Sequence, residues 1–330
     1  MGQLRNKYSI LKISQSEPID LIDDMSKAHF SLLKSFGCGI HNFWLFWVRF
    51  ACLFFIKMAE RRAEKHAEMD RESALRLELG KIFQHGAPSI VGTSPDFPDP
   101  DYGLVIGFNH PSLGEILRLM YICMLVYPER KYLFPVNILW YEALVPVIDR
   151  LAEFGFTLMP VITPKAKKKL MKHAKKIEAR VQVNRLTRGF VEAYFARSTE
   201  FVKSGQIVLV APSATRKQYV FDDKATAEGK KPIEPQTMTL LALSIMRAKI
   251  EHFAFIPVAV IPPEGASRGL NLLCEYRIMP CNPMSEETII PRCKQFEDGC
   301  NARRFERCFL EAIAKELESN NRKDLITRPG

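Results

Sequence analysis

Apolar and polar positions change their rhythm along the chain. Leu21, Ile22, Met25, His29, Leu32, Leu33 and Phe36 recur at helical spacing until Gly37-Cys38-Gly39 interrupts them. Phe43 to Ile56 is then apolar almost throughout, with Arg49 in its middle. That stretch is too short to cross a bilayer comfortably. Trp44, Trp47, Phe50 and Phe54 are of the kind that settles at headgroup level, which predicts a helical hairpin lying in a membrane interface. A core helix is the other reading, although a segment apolar nearly all round needs protein on every side. Glu60 to Leu79 predicts a charged, solvated helix. Gly86 to Asp101 holds Pro88, Pro95, Pro98 and Pro100 and reads as a linker.

From Tyr102 the period shortens. β-rich runs at Gly103–Phe108, Lys131–Pro135, Phe156–Ile162, Gln206–Val210, Phe253–Ile261 and Asn271–Ile278 alternate with helical patterns. The helical patterns are Leu113–Tyr127, Ile138–Phe154, Pro164–Lys203 and Thr237–Ile250. Such alternation predicts an α/β fold, a mostly parallel central sheet flanked by helices. Phe296–Leu317 predicts a last helix, and Glu318–Gly330 a frayed tail. The expected organisation is a helical, membrane-interface segment over 1–85, a linker over 86–101 and an α/β domain over 102–330.

Composition adds little to fold and something to partners. Of 330 residues, 47% are apolar and 25% charged, enough to bury a substantial core. The net charge of +10 favours anionic partners: a phospholipid surface, a phosphorylated small molecule, an acidic carrier protein or nucleic acid. None of the cysteines is spaced as a zinc knuckle, and reduced thiols in a cytosolic setting are expected. The first residues, Met1-Gly2-Gln3-Leu4-Arg5-Asn6, carry neither an apolar signal sequence nor the hydroxyl residue of a myristoylation site, so export is not expected.

The chemistry concentrates after the first β run. Leu104-Val105-Ile106-Gly107-Phe108 stops at Asn109-His110-Pro111, and Ser112-Leu113-Gly114-Glu115 opens a helix. A histidine is thereby predicted at the carboxyl end of a parallel strand, where open α/β sheets keep their ligand sites. An imidazole there can take a proton from a substrate hydroxyl if a carboxylate such as Glu115 holds its tautomer. Ser112-x-x-Glu115 is also a capping box, which would engage the same carboxylate with a backbone N–H.

Three further segments follow. Glu142-Ala143-Leu144-Val145-Pro146 precedes Gly155-Phe156-Thr157-Leu158; Gly205-Gln206-Ile207-Val208-Leu209-Val210 leads into Ala211-Pro212-Ser213-Ala214-Thr215-Arg216; and Phe255-Ile256-Pro257-Val258-Ala259-Val260 closes the series. With Asn109-His110-x4-Glu115, these segments resemble, in order, the four blocks of the glycerolipid (lysophospholipid) acyltransferase family, of the 1-acylglycerol-3-phosphate acyltransferase type. The resemblance spans about Tyr102 to Pro263.

It implies a glycerol-3-phosphate acyltransferase-like fold and transfer of an acyl group from acyl-CoA or acyl carrier protein to a hydroxyl of a lysophospholipid or glycerol phosphate. The implied roles are His110 as general base, Glu115 as its orienting carboxylate and Arg216 as a phosphate clamp. Thr215 would support that loop, Pro257 would shape the acyl-donor side, and Asn109, Ser112 and Ser213 would complete the substrate-binding set. No metal or cofactor is implied beyond the acyl-thioester co-substrate. The expected location is monotopic, on the cytoplasmic face of a membrane.

The chain departs from the family's pattern in three places. Glu115 stands for an Asp, Ser213-Ala214 for Glu-Gly, and Met159-Pro160-Val161-Ile162 where an arginine is expected. Loss of a carboxylate at Ser213 removes an acceptor for hydrogen bonds from a glycerol phosphate. An alternative reading follows: a catalytically impaired relative that binds membrane lipid.

Between the second and third blocks lies a basic run: Lys165, Lys167, Lys168, Lys169, Lys172, Lys175, Lys176, Arg180, Arg185 and Arg188, with Glu178 as its acid. A solvated helix face is one reading; docking on anionic lipid, on an acidic carrier protein or on coenzyme A phosphates is another. The lysines are too densely spread for a simple amphipathic stripe. Nucleic acid is not an expected partner, because no aromatics interleave with the charges. The other histidines show no partner pattern, and Asp222 to Gln236 reads as a connector or a lid.

Overall fold

The computed structural model describes residues 50, 53–84, 89–90, 102–109, 119, 123–124, 126–127, 129–138, 141, 144, 148–173, 177–212, 219–220, 237–263, 276–285, 302–322 and 325–327. The described chain forms two compact units, one from residues up to Met58 with Phe134–Ser198, the other from Ala59–Leu133 with Thr199 onward.

In the larger unit the main sheet is built from β1 (Ser89–Ile90), β2 (Gly103–Phe108), the first two residues of β3 (Tyr132–Asn137), β5 (Ile207–Val210), β7 (Phe253–Ile261), β8 (Arg277–Pro280) and β9 (Met284–Ser285). Their order is β1-β8-β7-β2-β5-β3, with β9 also on β7. β2 runs parallel to both β5 and β7, and β3 parallel to β5. β8 and β9 run antiparallel to β7, and β1 parallel to β8. This is a mixed, mostly parallel sheet with helices, as the alternating pattern predicted.

Every residue of β2, β5 and β7 is buried. Strands covered on both faces must be apolar on both faces, which is why these segments read as unbroken hydrophobic runs instead of alternating ones. The covering is close. A Cβ on Gly103 would stand 2.0 Å from the Val202 carbonyl oxygen, and one on Gly107 would meet the Phe309 ring at 2.5 Å. Phe309 belongs to the C-terminal helix Ala302–Ser319, whose Phe305 packs edge-on against Phe255 of β7, with ring centroids 5.2 Å apart.

The helices are α1 (Arg71–Gln84), α2 (Ile148–Glu153), α3 (Pro164–His173), α4 (Ile177–Lys203), α5 (Thr237–Arg247) and α6 (Ala302–Ser319). The helix predicted over Glu60–Leu79 is instead two: residues 53–63 are helical, a turn intervenes, and α1 begins after Asp70. Asp70 caps it by accepting the Ser73 N–H at 2.9 Å. The turn brings His66 Nε2 to 2.8 Å from the buried Glu78 carboxylate, which also accepts from Lys81 at 2.6 Å. His66, without a partner in the sequence pattern, therefore has one.

In the smaller unit β3 continues through Phe134–Asn137 beside β4 (Phe156–Val161). Ile138, Ile162, Ala166, Leu170, Val183, Leu186 and Phe190 form its core, joining α3 to the N-terminal half of α4. The basic run thus does have a buried apolar side, against the expectation that its charges surround the helix. Spaced at i, i+4 on α3, Ala166 and Leu170 reach inward while Lys168 and Lys172 stay exposed.

Two helix ends turn directly into strands, and both use glycine at positive φ. Gly155 (φ 81°) precedes β4, and Gly205 (φ 68°) precedes β5. At the second, Gln206 N–H reaches Phe201 O at 2.8 Å and Gly205 N–H reaches Val202 O at 3.1 Å, the paired bonds of a Schellman cap. The left-handed residue costs little only without a Cβ, so the Gly-led strands have a backbone cause.

Two segments differ from expectation. The predicted linker contributes β1, whose Ser89 and Ile90 pair with Arg277 and Ile278. The predicted frayed tail is built in. Asn321 (φ 58°) closes α6 with a second Schellman cap, Arg322 N–H bonding Leu317 O at 2.8 Å. The buried Arg322 donates to Pro262 O, Leu325 is buried, and β10 (Ile326–Thr327) pairs in parallel with β6 (Tyr219–Val220). Truncation after Asn321 removes a charge-assisted bond and a buried leucine, together about 3–6 kcal/mol. Its melting temperature is expected to fall by several degrees; an unchanged melting curve would show that the tail carries no stability.

Candidate functional site

Open parallel sheets bind ligands beyond the carboxyl ends of their strands. The first and third quoted blocks leave adjacent strands at one such edge of the larger unit, and the fourth lies on β7, which runs past that level to Ile261. Gly107 of β2 is in register with Val210 of β5 on one side and with Pro257 of β7 on the other. The first block leaves the sheet after Phe108, the third after Val210, and the fourth carries Pro257 at the same level. Segments about a hundred or more residues apart are thus adjacent by strand pairing. The second block, with Gly155 and β4, belongs to the smaller unit.

Asn109 is the part of the first block whose contacts are described. It is buried, and its amide is fully aligned with β7: Nδ2 donates to Val260 O at 2.8 Å, and Oδ1 accepts Val260 N–H at 2.6 Å. The side chain acts here as a peptide group, extending the β2–β7 ladder one step beyond the Phe108–Val258 pair. It fixes where the chain leaves the sheet. Expected among the substrate-binding residues, Asn109 is found holding the strand end. His110 is the next residue along; it, Ser112, Glu115, Ser213, Thr215 and Arg216 lie outside the described residues, as does the Asp222–Gln236 connector.

Pro257 is unusual because proline removes a ladder donor from a strand flanked on both sides. Its carbonyl accepts Cys281 N–H at 2.8 Å, so the donor it lacks also faces β8 and β9. There the register slips: Val258 pairs with Pro280 and Phe255 with Met284, leaving Ile256 and Pro257 opposite Cys281, Asn282 and Pro283. The extra residue is a β-bulge, which absorbs the missing bond. The sequence reading missed the bulge; Pro280 and Pro283 flanking the turn are its only sequence signal.

Among the described residues, two cysteine thiols, Cys123 and Cys281, are poor nucleophiles. Burial pushes Cys123 up to about 12, and burial with the Glu316 charge pushes Cys281 up to about 12. Both stay protonated near neutrality, which keeps covalent thiol chemistry away from them. Among the described residues, no three His, Cys, Asp or Glu gather in a way that could hold a metal ion.

Of the residues expected at a membrane, Phe50 and Phe54 are 53% and 55% exposed; Trp44 and Trp47 lie outside the described residues. Among the described residues no helix is long and apolar enough to cross a membrane.

The strand-end role of Asn109 has a sharp test. Asn109→Ala strands the buried Val260 N–H and C=O at a cost of about 2–4 kcal/mol. Asn109→Asp keeps the acceptor but sets a carboxylate oxygen against Val260 O, so it is expected to be at least as damaging, by urea denaturation. If Asp matches wild type, the amide does not bridge to β7.

Compared with known proteins, the chain matches no protein-family model and no curated protein.

Proposed function

We propose that the chain is an O-acyltransferase, moving a fatty acyl group from an acyl-thioester to a hydroxyl of a lysophospholipid or glycerol phosphate. In this reading the fold is glycerol-3-phosphate acyltransferase-like, and the N-terminal aromatic segment holds the protein on the cytoplasmic face of a membrane. The observation that carries it is the shared level of Gly107, Val210 and Pro257 on three adjacent parallel strands. Of the motif blocks that resemble one family in sequence order, the first and third leave the sheet side by side, with the fourth paired to the first at the same level, on the edge where such sheets bind ligands.

The chemistry requires little else. A neutral imidazole at His110 accepts the proton of the acceptor hydroxyl as its oxygen attacks the thioester carbonyl. The tetrahedral species collapses with cleavage of the C–S bond, and the imidazolium returns its proton to the departing thiolate. The products are an ester and a free thiol. Glu115 orients the ring and favours its charged form, and Arg216, with its planar fork, binds the phosphate of the acceptor or of coenzyme A. The acyl donor is acyl-CoA or acyl carrier protein, with no further cofactor.

The departures at Ser213 and Ala214 favour a second reading, an impaired relative that binds lipid at the membrane. A lysophospholipid is the better acceptor than glycerol phosphate if activity is kept, because the carboxylate that would take hydrogen bonds from free glycerol hydroxyls is replaced by Ser213.

Purified protein given acyl-CoA and lysophosphatidate is expected to release thiol, and His110→Ala to lower the rate by about 10²–10⁴. Release unchanged in the variant removes His110 from the mechanism. Vesicle binding without turnover on either acceptor selects the second reading.

A further inference from the structure

α3 and α4 spend one side of each helix on the core of the smaller unit, through Ala166, Leu170, Val183, Leu186 and Phe190. Their other side is chemically mixed in a specific way. At the start of α4, Ile177 and Val181 are 77% and 61% exposed, one helical turn apart on one face. Arg180 and Arg185 are exposed on the same helix, and Lys168 and Lys172 on α3. α3 contains no acidic residue at all.

We propose that this face docks on the surface of an anionic phospholipid bilayer. Two exposed β-branched side chains on a helix that also exposes Arg180 and Arg185, in a unit whose α3 exposes Lys168 and Lys172, suit no purely ionic partner: a free phosphate or a nucleic acid would engage the charges and leave both aliphatics in water. A bilayer surface takes both kinds of group at once. Its headgroup phosphates meet the cations, whose stems lie along the interface, and the aliphatics enter the acyl boundary just beneath.

An acidic protein is disfavoured by chemistry, since its carboxylates would pair with the cations and leave Ile177 and Val181 without an apolar partner. The distribution of exposed apolar groups agrees. Among the described residues, five of the eight large apolar side chains that are exposed lie in the smaller unit: Phe50, Phe54, Ile177, Val181 and Val191. Phe50 and Phe54 belong to the segment already read as interfacial; the α3–α4 face is a second contact, and it stands whether or not the chain transfers acyl groups.

The test uses the full chain and sedimentation with vesicles of phosphatidylcholine alone or mixed with phosphatidylserine. One variant reverses charge at Lys168→Glu, Lys172→Glu and Arg185→Glu; another removes the aliphatics, Ile177→Ser with Val181→Ser. Both changes are on the surface, and circular dichroism and melting temperature check that the fold is kept. Each is also made with Phe50→Ser and Phe54→Ser, so that the aromatic segment cannot mask the result.

Wild type is expected to favour the phosphatidylserine vesicles, and inorganic phosphate is not expected to compete. The charge variant is expected to lose about 10–100-fold in partition and its preference for the anionic lipid. The aliphatic variant is expected to lose about tenfold on both vesicle types. Wild-type partition in both variants, on both backgrounds, overturns the proposal. So does a face whose substitutions leave vesicles unaffected but abolish binding to an acidic protein or to RNA.

Discussion

The pairing of β2 with β7 is the constraint on which the rest of the larger unit depends. It runs from Gly103 opposite Phe253 to Phe108 opposite Val258, and the Asn109 amide carries it one step further onto Val260. Buried from both faces, these strands can meet only if their coverings come very close. That is why two glycines are spent on β2: Val202 backbone crosses at Gly103 and the Phe309 ring lies over Gly107. A strand of larger residues would satisfy its hydrogen bonds and lose its coverings. Packing, rather than strand propensity, decides the composition of β2.

The same economy shapes the helix ends. Gly205 and Asn321 each take the left-handed conformation, and each feeds the chain into something the sheet needs. Gly205 turns α4 into β5 within two residues, putting Ile207 opposite Leu104. Asn321 turns α6 back so that Arg322 reaches Pro262, just past the end of β7, and the tail continues to β6. Because β6 follows the third block, the C-terminus ties down the chain immediately beyond it.

Sequence pattern made the central strands legible because their burial is two-sided and their apolar runs unbroken. Gly103–Phe108 and Phe253–Ile261 coincide with β2 and β7 at both ends. Features that depend on distant partners were not legible. β1 is two residues long and exists only through its pairing to β8; proline density there reads as linker. Glu60–Leu79 has helical composition throughout, and the break before Asp70 is fixed by a cap and by His66 reaching Glu78. The C-terminal tail is polar, and what distinguishes it from a frayed end, the burial of Arg322 and Leu325 and the pairing of β10 with β6, depends on distant partners. In the basic helices, charge density hides the few small and apolar positions that face the core.

The site was legible in a different sense. Its residue types were visible, but two of them carry structural duties that the pattern conceals. The Asn109 amide is 151 residues from its Val260 partner, beyond any local signal. Pro257 sits where a bulge relieves a lost donor, so its presence in β7 has a backbone cause of its own. A motif residue with a complete structural explanation gives no separate support to a chemical role. What these two do supply is geometry: with Asn109 locked to β7 and Val210 in register with Gly107, the chain leaves β2 at a fixed point on the sheet edge. His110 is the next residue in the chain, so the case for catalysis rests on that exit point and on the third block leaving β5 beside it, not on Asn109 or Pro257 as motif matches.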